Sequence, residues 1–325
     1  MTHAIHIYEN GGPETLKWES FEPGDPGQGE VLVRHKAVGL NFIDVYHRTG
    51  LYPLPALPAV PGLEASGVVE QTGPEVSEFK PGDRVAYAGV PPGAYSQVRI
   101  IPAHRLIKLP ESISFETGAA MMLKGMTARY LIRGCYPVKA GDVILMHAVS
   151  GGVGSIVSQW ASHIGATVIG TVGSPEKAEK AKANGCQYPV LYEKEDFAAA
   201  VREITHGSGV DAVYDSVGQA TFMKSLDCLR PLGTMVTFGQ SSGTVPPFDA
   251  GLLAAKGSLF LTRPSLMTYT EKREDLVAHA EDLFDVVQHK AVKIEIGQTY
   301  PLSEAAQAHR DLEGRKTMGS TILIP

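Results

Sequence analysis

The chain has 325 residues, 43% of them hydrophobic and 20% charged, and a formal net charge of −6. That is the composition of an ordinary globular protein of about two domains, and an acidic balance without a Lys/Arg cluster argues against a nucleic-acid groove. No apolar run reaches the roughly 18 residues of a membrane span and the amino terminus lacks the apolar core of a signal peptide, so the cytoplasm is the expected location.

Residues 1 to 124 read as a mostly antiparallel β domain. Short strands are expected at His3 to Tyr8, Glu30 to Val38, Gly67 to Glu70, Arg84 to Tyr87 and Ala94 to Ile100, separated by turns such as Gly11-Gly12-Pro13 and Lys80-Pro81-Gly82-Asp83. The proline-heavy segment from Tyr52 to Pro61 is expected to be an extended, exposed and stiff loop. Phe115 to Ile132 carries helical spacing and leads across to the next domain near Lys124 to Thr127. Cys135, Cys186 and Cys228 are far apart and odd in number, which suggests neither a disulfide framework nor a thiolate metal site.

The middle of the chain, 125 to 264, alternates strands and helices. An apolar segment ending at Met146 meets the cluster Gly151-Gly152-Val153-Gly154 and turns into a helix with Ile156, Val157, Trp160, Ala161 and Ile164 on one face. A strand, a tight glycine turn and a helix hold phosphate well, because the backbone can come close and the first helical N–H groups carry positive charge. The fingerprint is imperfect, since Val149 occupies the first glycine place. Thr167 to Val172 is the next strand; Ser174-Pro175 opens a helix that Gly185 closes. Val190-Leu191, Val210 to Tyr214, Leu232 to Phe238 and Gly257 to Thr262 are further strands, with helices expected at Asp196 to Ile204 and Thr221 to Leu229. Such alternation means a parallel sheet covered on both faces, a Rossmann-type dinucleotide-binding domain with its ligand at the carboxyl ends of the strands. Phe238 through Gly243, including Gln240 and Ser241, is then expected to line the nicotinamide end, with Arg263 beginning the return.

From 265 to 325 the style reverts. Glu271 to Lys290 is an amphipathic helix, Lys293 to Ile296 a strand, Ser303 the cap of a helix ended by Gly314, and Ser320 to Ile324 a closing strand. The fold class is therefore α/β: a doubly wound parallel sheet inserted in a mostly antiparallel β catalytic domain that is completed by the carboxy-terminal tail.

This organisation resembles the medium-chain dehydrogenase/reductase superfamily, with a GroES-like catalytic domain. Within it, Leu40-Asn41-Phe42-Ile43-Asp44-Val45-Tyr46, Arg48-Thr49-Gly50-Leu51-Tyr52-Pro53 and Val213-Tyr214-Asp215-Ser216-Val217-Gly218 look like the zinc-independent NADPH:quinone oxidoreductases related to zeta-crystallin, in their bacterial form. The match covers essentially the whole chain. Zinc alcohol dehydrogenases of the superfamily have a Cys near Asn41, a Gly-His-Glu where this chain has Gly62-Leu63-Glu64, and a four-Cys lobe that is missing here. Catalytic zinc needs about three N, S or O ligands around an open position, and none is expected. The resemblance further implies that Ser216 and Tyr192 contact the cofactor and that Arg315 adds a charge at its adenosine end.

Cofactor preference can be read from residues. A site for NAD puts a carboxylate about 20 residues beyond the glycine turn; here that place is Gly173-Ser174, with Lys177 in the following helical turn. A hydroxyl, helix-terminal N–H groups and an ammonium suit a 2′-phosphate, so NADPH is expected. The alternative for Lys177 is one exposed helix charge beside Lys180 and Lys182. With no metal and no evident nucleophile, the simplest activity is hydride delivery to an electrophilic acceptor, and quinones fit. Asn41, Tyr46 and Tyr52, in or beside loops expected to face the nicotinamide, are the candidate donors to the oxygen that gains charge; a capping Asn and packed tyrosines are the structural alternatives. Reduction of activated C=C bonds in enals and enones, and an RNA-binding or structural role on the same fold, are the competing readings. An apolar sixth strand, Ser258 to Leu261, would lie at a sheet edge, so a homodimer is expected.

Overall fold

In the amino-terminal unit the longest strand organises the sheet. A computed structural model describes residues 1–325, and its contacts divide them into two units: Met1–Met126 with Thr270–Gln288 and Ile294–Pro325, and Thr127–Tyr269 with His289–Lys293. The first comprises β1 (Thr2–His6), β2 (Lys17–Phe21), β3 (Glu30–Leu40), α1 (Phe42–Thr49), β4 (Glu64–Thr72), β5 (Arg84–Ala88), β6 (Val98–Pro102), β7 (Ile107–Lys108) and the start of α2 (Phe115–Tyr130). β3, 11 residues long, pairs with β4 along one edge and with β6 on the other. The proline segment is mostly exposed and is tied to the unit where Ala59 and Ile7 exchange backbone hydrogen bonds.

The second unit holds β8 (Val143–Met146), α3 (Gly152–Ile164), β9 (Thr167–Val172), α4 (Pro175–Ala183), β10 (Tyr188–Leu191), α5 (Phe197–Ile204), β11 (Val210–Asp215), α6 (Phe222–Leu226), β12 (Leu229–Thr237), α7 (Gly251–Ala255), β13 (Phe260–Thr262) and α8 (Leu266–Tyr269). Its six strands are all parallel in the order β10-β9-β8-β11-β12-β13. Chain order therefore reverses beside β8, between β9 and β11, which is where doubly wound sheets open a crevice for ligands.

The carboxy-terminal residues supply α9 (Arg273–Gln288), β14 (Ile296–Pro301), α10 (Ala305–Glu313) and β15 (Ser320–Ile324), and β15 pairs antiparallel with the end of β3. The first unit's main sheet is thus antiparallel except for the β14–β15 pair.

Several expectations need correction. The run from Phe42 to Thr49, expected among loops, is a helix: Asn41 sits at its N-cap in extended conformation, Asp44 Oδ2 accepts from the Asn41 N–H (2.9 Å), and Gly50 closes it at φ 80. The helix expected to reach Leu229 stops at Leu226, because β12 starts at Leu229 and carries an irregularity with Leu232 at φ 61. Ser303 does not cap α10; it lies in a 3-10 turn, and Glu304 precedes the helix without a side-chain cap. The strand expected from Lys293 begins only at Ile296. β2, β7, α7 and α8 are additions to the expected elements.

Candidate active site

The glycine turn after β8 is shaped by its neighbours. Ala148 adopts φ 52, and its N–H donates to Thr171 Oγ1 on β9 (3.2 Å). The buried His147 lies between Thr171 Oγ1 (3.0 Å) and Ser225 Oγ (2.8 Å). Ser225 donates its hydrogen to Thr221 O, so it accepts from His147 Nε2, and Nδ1 then accepts from Thr171. Burial lowers the His147 pKa, in keeping with that neutral ring. Val149, at the place of the first glycine, is fully buried and packs on Gly170 of β9, where any Cβ would collide with it. The imperfect fingerprint is thus compensated on the next strand. Gly154 has no room for a side chain against the Ala148–Val149 backbone, while Gly151 is the N-cap of α3 and no side chain caps that helix. Gly152 and Val153 form its first turn.

At the end of β9, Ser174 is the N-cap of α4 and its hydroxyl accepts from Lys177 N–H (3.2 Å), which leaves the hydroxyl hydrogen to donate outward. Tyr192 follows β10, half-exposed, with its hydroxyl so close over Gly173 that a Cβ there would approach it to 2.8 Å. At the end of β11, the fully buried Asp215 accepts from Val217 N–H (2.7 Å), Gly218 N–H (3.1 Å) and Thr221 Oγ1 (2.8 Å). Ser216 O accepts from Ser241 N–H, and Phe238 N–H donates to Asp215 O, so the loops after β11 and β12 are bound together. Gln240 packs against Gly218, and Arg263 donates to Thr237 O (3.0 Å) and Gly239 O (3.2 Å). Every cofactor residue expected in this unit follows the carboxyl end of a strand. Arg315 belongs to the other unit, just past α10, at φ 57.

In the first unit Asn41, Tyr46 and Tyr52 come from one short stretch. The rings of Tyr46 and Tyr52 meet edge to face with centroids 5.1 Å apart, and Tyr52 N–H donates to Tyr46 O (3.1 Å). Asn41 is buried and its Nδ2 donates to Glu64 Oε2 (2.8 Å). Sequence reasoning missed the charged groups around them. Glu64, on β4, also accepts from Leu123 N–H (2.7 Å) and Lys124 Nζ (3.2 Å). A second buried chain runs from α10 to α1. Arg48 can only donate, so His309 Nδ1 accepts from it (3.1 Å); His309 Nε2 then donates to Tyr95 Oη (3.0 Å), and Tyr95 donates to Asp44 Oδ2 (3.0 Å). Burial pushes His309 down to about 3 and Tyr95 well above its usual value. Arg48 is closed off by a bidentate pair with Glu313 (2.8 and 2.9 Å). Asp44 Oδ1 is buried without a hydrogen-bond partner, and burial raises the Asp44 carboxyl to about 7.

These donors do not suit a metal. Asn41 and Glu64 are hydrogen-bonded to one another and Glu64 is paired with Lys124, Leu63 stands where a His ligand would be, and no group of three or more His, Cys, Asp or Glu side chains is placed so that it could hold a metal ion.

A doubly wound dinucleotide fold together with a GroES-like unit defines an oxidoreductase class, and comparison with known proteins agrees. The sequence profile of the zinc-binding dehydrogenases matches residues 152–281, and that of the alcohol dehydrogenase GroES-like domain matches residues 27–111. The chain is 47% identical to a quinone oxidoreductase of Pseudomonas aeruginosa, over 100% of both chains. It is 46% identical to a 2-haloacrylate reductase of a Burkholderia species, over 100% of this chain and 99% of the other. The crystal structure of Escherichia coli quinone oxidoreductase complexed with NADPH superposes with a TM-score of 0.98 at 46% identity, covering 99% and 100% of the two chains. The chain belongs to the medium-chain dehydrogenase/reductase superfamily, in its quinone oxidoreductase family.

The Asp44 carboxyl yields a pH prediction. Its pKa rises from 3.8 to about 7 on folding, so the folded chain binds this proton more tightly. Its contribution to stability is complete below about pH 4 and is lost as pH rises towards 7, at no more than about 1.4 kcal/mol per pH unit. Asp44→Asn keeps an acceptor for the Asn41 N–H and cannot ionise. Urea unfolding from pH 4 to 8 should show its stability gaining on the wild type as pH rises; parallel curves would contradict this.

Proposed function

We infer that the protein reduces quinones with NADPH, by hydride transfer and without a metal ion. The observation that carries the cofactor reading is the end of β9, where Ser174 and the first turn of α4 stand in place of the carboxylate of an NAD site; the acceptor reading is supported by the quinone oxidoreductases to which the chain is similar. NADPH, when bound, supplies the hydride. The uncapped start of α3, with Gly151, Gly152, Val153 and Gly154, holds the pyrophosphate. Ser174 and Lys177 bind the 2′-phosphate beside Gly173, Tyr192 flanks the adenosine with Arg315 as a second charge, and Ser216, Phe238, Gln240, Ser241 and Arg263 shape the nicotinamide end. Asn41, Tyr46 and Tyr52 donate to the acceptor oxygen as it gains charge. A quinone spreads that charge over its ring, so several modest donors suffice. The hydride and one proton from solvent convert quinone to hydroquinone.

Similarity to a 2-haloacrylate reductase favours a second reading, hydride delivery to an activated C=C bond, which needs the same alignment. A steady-state panel of quinones, enals and enones with product identification separates the two: quinones should turn over fastest, and preferential reduction of enones would replace this reading with the second.

Lys177→Ala should raise KM for NADPH by between one and two decades and leave KM for NADH nearly unchanged, since a charge-assisted hydrogen bond is worth about 1.5–3 kcal/mol. Equal losses with both cofactors would place 2′-phosphate recognition elsewhere.

A cytoplasmic homodimer is the form we propose for the enzyme. Phe260 and Leu261, on the edge strand β13, are 61% and 36% exposed, and an apolar edge invites pairing with a second copy. Light scattering at micromolar concentration should give twice the chain mass; a monomer mass would refute the dimer.

A further inference from the structure

Inside the first unit lies a buried ion pair that the reaction as described does not use. Glu64 is fully buried and Lys124 is 6% exposed. Replacing such a pair with apolar side chains is often neutral or stabilising, so its presence is poorly explained by stability. Its geometry suggests another use. All three partners of Glu64 are donors: the Leu123 N–H on Oε1, and Asn41 Nδ2 and Lys124 Nζ together on Oε2. A carboxylate so engaged only accepts, and therefore dictates which end of the neighbouring amide turns towards it. Room for the contact is made on β3 by Gly39, which lies opposite Glu64 in register and where any Cβ would collide with Oε2.

We propose that Glu64 and Lys124 are positioning residues that set the orientation of the Asn41 amide. The ammonium balances the charge of the buried carboxylate, the carboxylate captures one Asn41 N–H, and the second N–H is left for the acceptor's oxygen. If the carboxylate loses its counter-charge and takes up a proton, it becomes a donor as well, and the amide can turn its oxygen to it. An acceptor would then stand where the reaction needs a donor. The inference rests on the reading of Asn41 as a substrate donor.

The test uses Lys124→Met, Glu64→Gln and the two combined. Each single change strands a buried charge and should lower the melting temperature, whereas the double variant removes both charges and should recover it. The glutamine side chain that replaces the carboxylate has one acceptor end, which the Leu123 N–H takes, so its NH2 faces Asn41 and asks for the oxygen of that amide instead of its N–H. The double variant should therefore show a kcat for quinone roughly tenfold or more below wild type, with KM for NADPH unchanged. A purely structural pair would return kcat together with thermal stability.

A second readout needs no substrate. The chain has only Asn10, Asn41 and Asn184 as asparagines, so selective 15N-asparagine labelling gives three side-chain amide pairs. In the wild type one Asn41 amide hydrogen should be protected from solvent exchange, and in the double variant that protection should be lost. A folded double variant with wild-type kcat, or with the Asn41 amide still protected, would overturn the proposal, as would an unprotected Asn41 amide in the wild type whatever the variants do. Failure of the wild type to reduce any quinone would count against the proposed function instead, and amide protection would still decide this point.

Discussion

Parallel strands end by handing their chain to a helix, and the first N–H groups of that helix have no partner within it. In the second unit α4 and α5 meet this need internally, with Ser174 and Asp196 accepting from the backbone. Helix α3 does not: it begins on Gly151 with no capping side chain. Much of the surrounding structure follows from keeping that start open and rigid. Ala148 takes the left-handed turn, Thr171 on the adjacent strand accepts from its N–H and is itself held by His147, and Gly154 and Gly170 remove side chains that would collide with the Ala148–Val149 turn. An uncapped helix start held this firmly suits an anion such as a pyrophosphate.

The first unit solves a different problem, that of carrying polar groups inside an apolar β core. Two networks meet at Asn41, whose side chain binds Glu64 and whose backbone N–H binds Asp44. The Glu64 network is charge-balanced by Lys124 and leaves both carboxylate oxygens paired. The Asp44 carboxyl is met only by neutral donors, Tyr95 and the Asn41 N–H, and one of its oxygens has no partner, so the cost of burial appears as a raised pKa. Helix α1 is fixed at both ends by these groups, by Asp44 in its first turn and by Arg48 in its last. Tyr46 therefore stands on a braced helix rather than on a mobile loop.

What could be read from sequence followed the range of the interactions involved. Alternating apolar runs and helical periods disclosed the parallel sheet, because burial on both faces leaves unbroken β-branched segments. Helix α1 escaped notice although its signals were present: Asn41 and Asp44 at capping spacing and Gly50 as the stop. The buried networks had no such signal. Glu64 meets Lys124 from 60 residues away and Arg48 meets His309 from 261 away, and no periodicity reports which charged residues will be desolvated together. Ser303 shows the reverse error, a good local cap displaced because the chain enters α10 through a 3-10 turn.

The central claim is that alignment and shared hydrogen-bond donors, with no metal ion, carry hydride transfer from NADPH to a quinone. The most direct measurement is quinone-dependent NADPH oxidation after exhaustive chelation, with elemental analysis of the same sample. The account predicts undiminished kcat and KM in protein free of stoichiometric zinc; activity lost on chelation and restored by added zinc would contradict it.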